Sequence, residues 1–215
     1  MEGKAFSAII LAAGESERMG RQKLLLPFDA SHTFVERCVD VFAAFGCAEI
    51  IIVVNEHGMN NISSILPKWP ANIKAVTNHT PGKGRFGSLQ KGLIALTQRC
   101  PVFLHNVDSP FVTGEILESL AQHAGKADYV RPVYHGEYGH PVLVSPHIVN
   151  DLLSEESGDL HVRNYLSKYS QYFVEADNQL ILANINTSDD YRHYFSGYRR
   201  NNTFSGVRGA SESGL

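Results

Sequence analysis

The sequence predicts an α/β fold built on a mostly parallel sheet. Two observations carry that prediction. Apolar runs alternate with segments of helical periodicity through residues 1–125, and such alternation is the mark of a parallel sheet with crossover helices. The runs are also continuous in their hydrophobicity, as strands covered on both faces must be.

The elements come in this order. FSAIILAA (6–13) is the first buried strand. SHTFVERCVDVFAAFG (31–46) is a helix: Thr33 and Glu36 make a capping box, and Phe34, Cys38, Val41, Phe42 and Phe45 share one face. Gly46 stops it. EIIIVV (49–54) is a second buried strand, and MNNISSIL (59–66) is a weak helix ended by Pro67 and Pro70. IKAVTN (73–78) alternates as a strand. FGSLQKGLIALTQ (86–98) is helical, with Leu89, Leu93 and Leu96 inward. PVFLHNVD (101–108) is a strand, and TGEILESLAQHA (113–124) is a helix capped by Thr113. Beyond residue 125 the pattern changes. DYVRPVYHGEYGHPVLVS (128–145) reads as two strands about a Gly-bearing turn. Residues 146–153 and 159–169 read as helices, QYFVEA and QLILANIN as strands, and SDDYRHYF (188–195) as a final helix capped by Thr187 or Ser188.

The expected organisation is therefore one domain over residues 1–195, with residues 1–125 as one half and 126–195 as the other. The Gly- and Ser-rich residues 196–215 are expected to be a disordered tail. No internal repeat is present, and in particular no hexapeptide series.

A net charge of −3 provides no global basic field for nucleic acid, so any anion site must be local. Three cysteines without a CxxC pairing fit neither a zinc knuckle nor a disulfide framework. A cytoplasmic setting follows as the expectation. No run approaches ~18 apolar residues, so no membrane span is expected, and the apolar part of the N-terminus is short for a signal peptide.

Ligands in open α/β sheets bind beyond the carboxyl ends of the strands. That rule selects residues 12–27, 78–88 and 105–110. The first loop has small residues that let the backbone approach a phosphate, with Arg18 as a fork and Lys23 as a point charge. The second, NHTPGKGRFGSLQKGL, leads through Gly82, Gly84 and Gly87 into a helix where Ser88 can cap or donate. The third, HNVDSPF, puts Asp108 just past a strand, where a carboxylate suits the hard cation Mg²⁺. Each has a plain structural reading: a solvated loop, a flexible connection, a self-capping turn. Their convergence on one sheet edge favours phosphoryl or nucleotidyl chemistry, in which positioning and charge neutralisation do most of the work.

Six segments then establish a resemblance. LAAGESERMGRQKLLLP resembles the LAAGxSxRMGxxK signature of the molybdenum cofactor nucleotidyltransferases, and it is similar above all to their cytidylyltransferase branch. GRFGSLQKGL, NVDSPFVT, GEYGHPVLVS, SGDLHVRNYL and NINTSDDY resemble further segments of that family in the same order, over about residues 7–195.

The resemblance implies a Rossmann-like three-layer sandwich of the nucleotidyltransferase type, binding CTP and Mg²⁺, with Mn²⁺ as an alternative. It implies attack by a pterin phosphate on the α-phosphorus and release of pyrophosphate. By position, Leu11, Ala12, Ala13 and Gly14 would border base and ribose. Arg18 and Lys23 would bind the triphosphate, and with Asp108 they form the catalytic set. Gly87 and Ser88 would lie near the nucleotide, and Gly139, His140 and Pro141 on the acceptor side. Ala12-Ala13 replaces the Gly-Gly of the related guanylyl branch, and the added methyl groups favour a pyrimidine by about 1–3 kcal/mol.

Two departures bear on this reading. Asn184 and Asn186 stand where the family usually has Asp, so Asn186 joins Asp108 as a metal ligand without charge. Arg85-Phe86 stands where small residues are usual. The expected partners are a nucleoside triphosphate, a molybdopterin-type acceptor and a molybdoenzyme client, with no nucleic acid and no membrane. Guanylyl transfer from GTP, a sugar-phosphate acceptor, and a nucleotide-binding accessory protein without turnover are the alternatives.

Overall fold

The protein is described by a computed structural model for residues 5–14, 19, 22–79, 84–156 and 160–201. Arg18 and Gly82 lie outside the described residues, as do Glu15, Glu17, Gly20, Arg21, Gly158, Asp159 and the 202–215 part of the expected tail.

β1 (Ser7–Ala12) leads by way of a 3-10 turn at Lys23–Leu25 to α1 (Phe34–Phe45). The capping box is present: the Thr33 hydroxyl accepts from the Glu36 N–H, and the Glu36 carboxylate accepts from the Thr33 N–H at 2.8 Å. Gly46 closes the helix at φ +89°, a left-handed conformation that suits glycine. β2 (Glu49–Val54) comes next, then α2 (Glu56–Ile62). This second helix starts earlier than its apolar pattern predicts, because the Asn55 side chain caps it by accepting from the Gly58 N–H.

β3 (Ile73–Thr77), α3 (Gly84–Ala95), β4 (Val102–Asn106) and α4 (Gly114–Gln122, capped by Thr113) complete the first half. These four strands are parallel and ordered β3-β2-β1-β4, with Ser7 opposite both Glu49 and Val102.

The second half closes the sheet with β5 (Tyr129–Tyr134), β6 (Glu137–Tyr138) and β7 (Val142–Val144). The sequence pattern predicts two strands in this stretch. Three form because the β5–β6 hairpin turns at His135 (φ +48°) and Gly136 (φ +83°), a pair of positive values matching the tight hairpin turn. Gly139–Pro141 then separates β6 from β7. β7 is antiparallel to β4 and β5, and β8 (Gln171–Glu175) is parallel to β5. α5 (Pro146–Ser154) and the short α6 (Val162–Leu166) lie between. α6 covers only the centre of the helix expected over 159–169.

QLILANIN is not a strand. Asn178 accepts from the Leu180 N–H and starts a 3-10 turn, Gln179–Leu182, and the chain then runs irregularly to Asn186. A short apolar run does not by itself distinguish a strand from another buried path. α7 (Ser188–Asn201) starts at Thr187, whose hydroxyl accepts from the Asp190 N–H at 3.1 Å. It continues through residue 201, into the segment expected as tail.

Continuous burial of the strands splits the core in two. Ala8, Ile10, Ile50 and Ile52 face α1 and α4, whereas Ile9, Ile51 and Val53 face α3 and α5. Phe34, Phe42 and Phe103 are completely buried on the first side, each stabilising the fold by about 1.5–3 kcal/mol.

α3 lies against the sheet at Gly92, where an added Cβ would sit 2.8 Å from Ile9 Cγ2 and 2.9 Å from Val53 Cγ2. Gly92→Ala is expected to destabilise the protein, because overpacking at about 1–3 kcal/mol outweighs the helix gain of about 0.5–1 kcal/mol. A lower denaturation midpoint checks this; an unchanged or raised midpoint would contradict it.

Candidate active site

The carboxyl ends of β1 and β4 and the start of α3 meet around a small cavity of about 110 Å³. Leu11 and Ala12 line it from the end of β1 with Ala13 and Gly14 just beyond, Ser88 and Arg85 from α3, and Asn106 from the end of β4 with Val107 and Asp108 just beyond. Lys23 closes one side. Of the residues assigned to the nucleotide, all the described ones but Gly87 line this cavity; Gly87 lies beside Ser88 on the first turns of α3. An added Cβ at Gly14 would meet nothing within 4 Å, which leaves open space in front of the backbone there.

Lys23 is held in place by the apolar residues C-terminal to it. Leu24 and Leu26 are buried in the core, and the Leu26 N–H donates to the Lys23 carbonyl at 3.0 Å. So anchored, the Lys23 ammonium donates to Asn186 Oδ1 at 2.6 Å and to Asp108 Oδ2 at 3.3 Å. Asp108 is nearly buried, and its backbone carbonyl accepts from the Ile185 N–H at 2.8 Å. Ser109 Oγ donates to Asn184 Oδ1 at 3.0 Å. The strand-end Asp loop and the 184–186 segment are thereby tied together 75 or more residues apart in sequence. Asp190 adds a clamp, accepting from the N–H groups of Asn186 at 2.9 Å and Thr187 at 2.8 Å. These backbone donors, with a smaller contribution from the Lys23 charge, hold its carboxyl below the usual value.

The residues fit a hard divalent cation. Asp108 Oδ1 is buried without a hydrogen-bond partner among the described residues, a costly state that an ion would relieve. Among those residues no group of three or more His, Cys, Asp or Glu side chains is placed to hold a metal. A site with one carboxylate suits Mg²⁺, which keeps waters and takes substrate phosphates to complete its shell. Asn186 Oδ1 is a neutral oxygen linked to Asp108 through Lys23.

Three asparagines escape a motif search. Asn55, Asn78 and Asn106 sit at the carboxyl ends of parallel strands. Asn55 Nδ2 donates to the Ala13 carbonyl at 3.4 Å, and Asn78 Nδ2 donates to Ser88 Oγ at 2.9 Å. They hold the loop after β1 and the start of α3 to neighbouring strand ends. The signal was present in sequence as a short polar residue at the end of each apolar run.

Asn106 also approaches His140, with 3.2 Å between Asn106 Nδ2 and His140 Nε2. Gly139, His140 and Pro141 lie in the β6–β7 connection, joined by a cis His140–Pro141 peptide. Gly139 is required by close approach, since an added Cβ would lie 2.8 Å from the Ile181 carbonyl oxygen. Burial lowers the His140 pKa to about 4 and that of His105 to about 3, so both rings are neutral near pH 7. His140 lines a second, larger cavity of about 910 Å³ that shares Leu11, Arg85 and Asn106 with the first.

A Rossmann-like sheet order, small residues and a lysine after β1, and a carboxylate after β4 define a nucleotidyltransferase. The chain belongs to the MobA-like NTP transferase domain family, whose model matches residues 8–172. It is 29% identical over 188 residues to the molybdenum cofactor cytidylyltransferase of Escherichia coli, covering 87% of this chain and 94% of that one. It is 30% identical over 125 residues to a probable molybdenum cofactor guanylyltransferase of Mycobacterium bovis, covering 57% of this chain and 58% of that one. Its structure is similar to that of a nucleotidyl transferase from Methanothermobacter (TM-score 0.77, 25% identity, covering 93% of this chain and 100% of that one). It shares a fold with Rv0371c from Mycobacterium tuberculosis (TM-score 0.76, 21% identity, covering 89% and 98%). Among the described residues no helix is long and apolar enough to cross a membrane.

Proposed function

We propose that the protein transfers CMP from CTP to a molybdopterin-type acceptor and releases pyrophosphate. The observation that carries this reading is the Lys23–Asp108–Asn186 contact set beside Ala12 and Ala13, opening onto a second cavity large enough for an acceptor. The similarity to the Escherichia coli cytidylyltransferase over most of both chains supports the substrate pair.

In this reading the smaller cavity takes the reacting end of CTP. An acceptor phosphate oxygen attacks the α-phosphorus, the bond from that phosphorus to the bridging oxygen breaks, and pyrophosphate leaves. A phosphate is already ionised near pH 7, so no general base is required. Lys23 neutralises charge that builds on the phosphates as the bond breaks, and Arg18 is its partner on the triphosphate. Asp108 and Asn186 hold Mg²⁺ or Mn²⁺, which supplies Lewis-acid and charge-neutralising chemistry when bound. A structure of Rv0371c, a protein of this fold, in complex with manganese supports a divalent ion. The molybdoenzyme that receives the product is the expected client.

The base preference rests on Ala12 and Ala13, which are 6% and 5% exposed and so hold their methyl groups in fixed positions at the cavity. Pyrophosphate release with molybdopterin is expected to be about 10- to 200-fold faster from CTP than from GTP, the range a few methyl groups can enforce. The double variant Ala12→Gly, Ala13→Gly should narrow that ratio. Faster turnover of GTP by the parent protein would overturn the assignment of the base.

A further inference from the structure

The larger cavity has a wall whose chemistry the family signature does not account for. Arg131, in the middle of β5, lines it half-buried, with its guanidinium carbon 4.0 Å from the centre of the Tyr138 ring. Tyr138 is itself stacked on Phe173 at 5.4 Å, so the guanidinium sits against a ring that is backed by a second one. Arg131 Nε is buried and has no hydrogen-bond partner among the described residues. No carboxylate among those residues pairs with it, although Glu137 lines the same cavity. Burial pushes the Arg131 guanidinium below its usual value; Tyr129, which also takes a hydrogen bond from it, and Tyr138 partly offset this, while the Arg163 charge adds to it. Arg163 lines the cavity from α6.

Arg85 occupies a different position. Phe86, the next residue, is 1% exposed and packs 5.9 Å from the Tyr165 ring in the second core. Burying Phe86 turns Arg85 outward on the first turn of α3, where it lines both cavities. A cation at that junction stands where an acceptor phosphate must pass to reach the nucleotide. At Arg131, a half-buried cation with the like charge of Arg163 near it is favourably placed to gain an anionic partner.

We propose that the acceptor is anionic at two separated points: its phosphate is received by Arg85 at the junction, and a second anionic group is clamped by Arg131 and Arg163 in the distal cavity. Arg131 is then a specificity-determining residue that selects doubly anionic acceptors over simple sugar phosphates, and Arg85 is a residue of the transfer step. The inference rests on the nucleotidyl-transfer reading of the site.

The test separates binding from turnover. Binding of molybdopterin and of glucose 1-phosphate to the full chain is measured by calorimetry with CTP withheld, and CTP binding is measured alone. Arg131→Ala and Arg131→Lys are expected to weaken molybdopterin binding at least tenfold, to leave CTP binding unchanged, and to leave the already weak glucose 1-phosphate binding where it was. Circular dichroism melts show whether Arg131→Ala is folded; Arg131→Lys keeps the charge and stem while losing the planar fork. Under turnover, Arg131→Lys should raise KM for the acceptor with kcat little changed, and Arg85→Ala should lower kcat. Parent-like molybdopterin binding by both Arg131 variants overturns the proposal, as does glucose 1-phosphate binding as tight as molybdopterin. Tight, Arg131-dependent molybdopterin binding without any pyrophosphate release would uphold the Arg131 clamp while overturning the nucleotidyl-transfer reading and, with it, the role of Arg85 in transfer.

Discussion

Asp108→Ala is expected to reduce pyrophosphate release by about 10³-fold or more in kcat. Asp108 has a buried oxygen at the smaller cavity with no hydrogen-bond partner among the described residues, and its other oxygen accepts from Lys23 at 3.3 Å. In the proposed reaction, removing it takes away the charged ligand for the divalent ion. It also leaves the Lys23 ammonium, only 16% exposed, without its carboxylate. Breaking a pair this buried costs about 3–5 kcal/mol where water cannot compensate, so the melting temperature should fall as well. Asp108→Asn separates the two effects. It keeps the shape and an oxygen for Lys23 but removes the charge. Its fold should be preserved while activity stays low, and raising the Mg²⁺ or Mn²⁺ concentration should restore part of the rate. Full activity in Asp108→Asn at ordinary Mg²⁺ would sink the metal assignment.

Lys23→Ala carries the second large effect, a loss of about 10²- to 10³-fold in kcat. The lysine touches both Asp108 and Asn186 and lies beside the small residues at the end of β1. In the proposed reaction its charge is needed most as the pyrophosphate leaves, so the loss should fall on kcat more than on KM for CTP. Lys23→Arg should recover little of the rate. The guanidinium is a wide fork, whereas the space between Asn186 Oδ1 and Asp108 Oδ2 holds a compact ammonium 2.6 and 3.3 Å away. Steady-state kinetics check both variants. A Lys23→Ala enzyme with parental kcat and only a raised KM would place the lysine in ground-state binding alone.

Much of the scaffold was legible because local signals agreed with the final packing. The capping box at Thr33 and Glu36, the glycine stop at Gly46 and the buried runs of β1 and β2 are set by nearby residues, and they form as expected. The strand-end rule selected the loops of Lys23, Ser88 and Asp108, and the three residues line one cavity, because a parallel sheet puts all its carboxyl ends on one edge. QLILANIN failed for a physical reason. Its apolar residues Ile181, Ala183 and Ile185 are buried in the core, but burial alone does not choose a strand, and the Asn178 cap diverts the backbone. Arg131 was invisible for another reason. It sits inside a strand, where a charge ordinarily reads as a solvated face. Only the tertiary placement of β5, β6 and α6 shows that it faces a cavity. The roles of Asn55, Asn78 and Asn106 needed the side-by-side placement of strands that are far apart in the chain.

The most direct test of the central claim tracks the phosphorus. Purified protein is incubated with Mg²⁺, molybdopterin and CTP labelled at the α-phosphate, and both products are quantified. The account predicts that label moves to the acceptor in a cytidine dinucleotide, with one pyrophosphate released for each molecule formed, and that Asp108→Ala forms neither. Label remaining in CTP with the parent protein, while CTP and molybdopterin are both shown to bind, would contradict it.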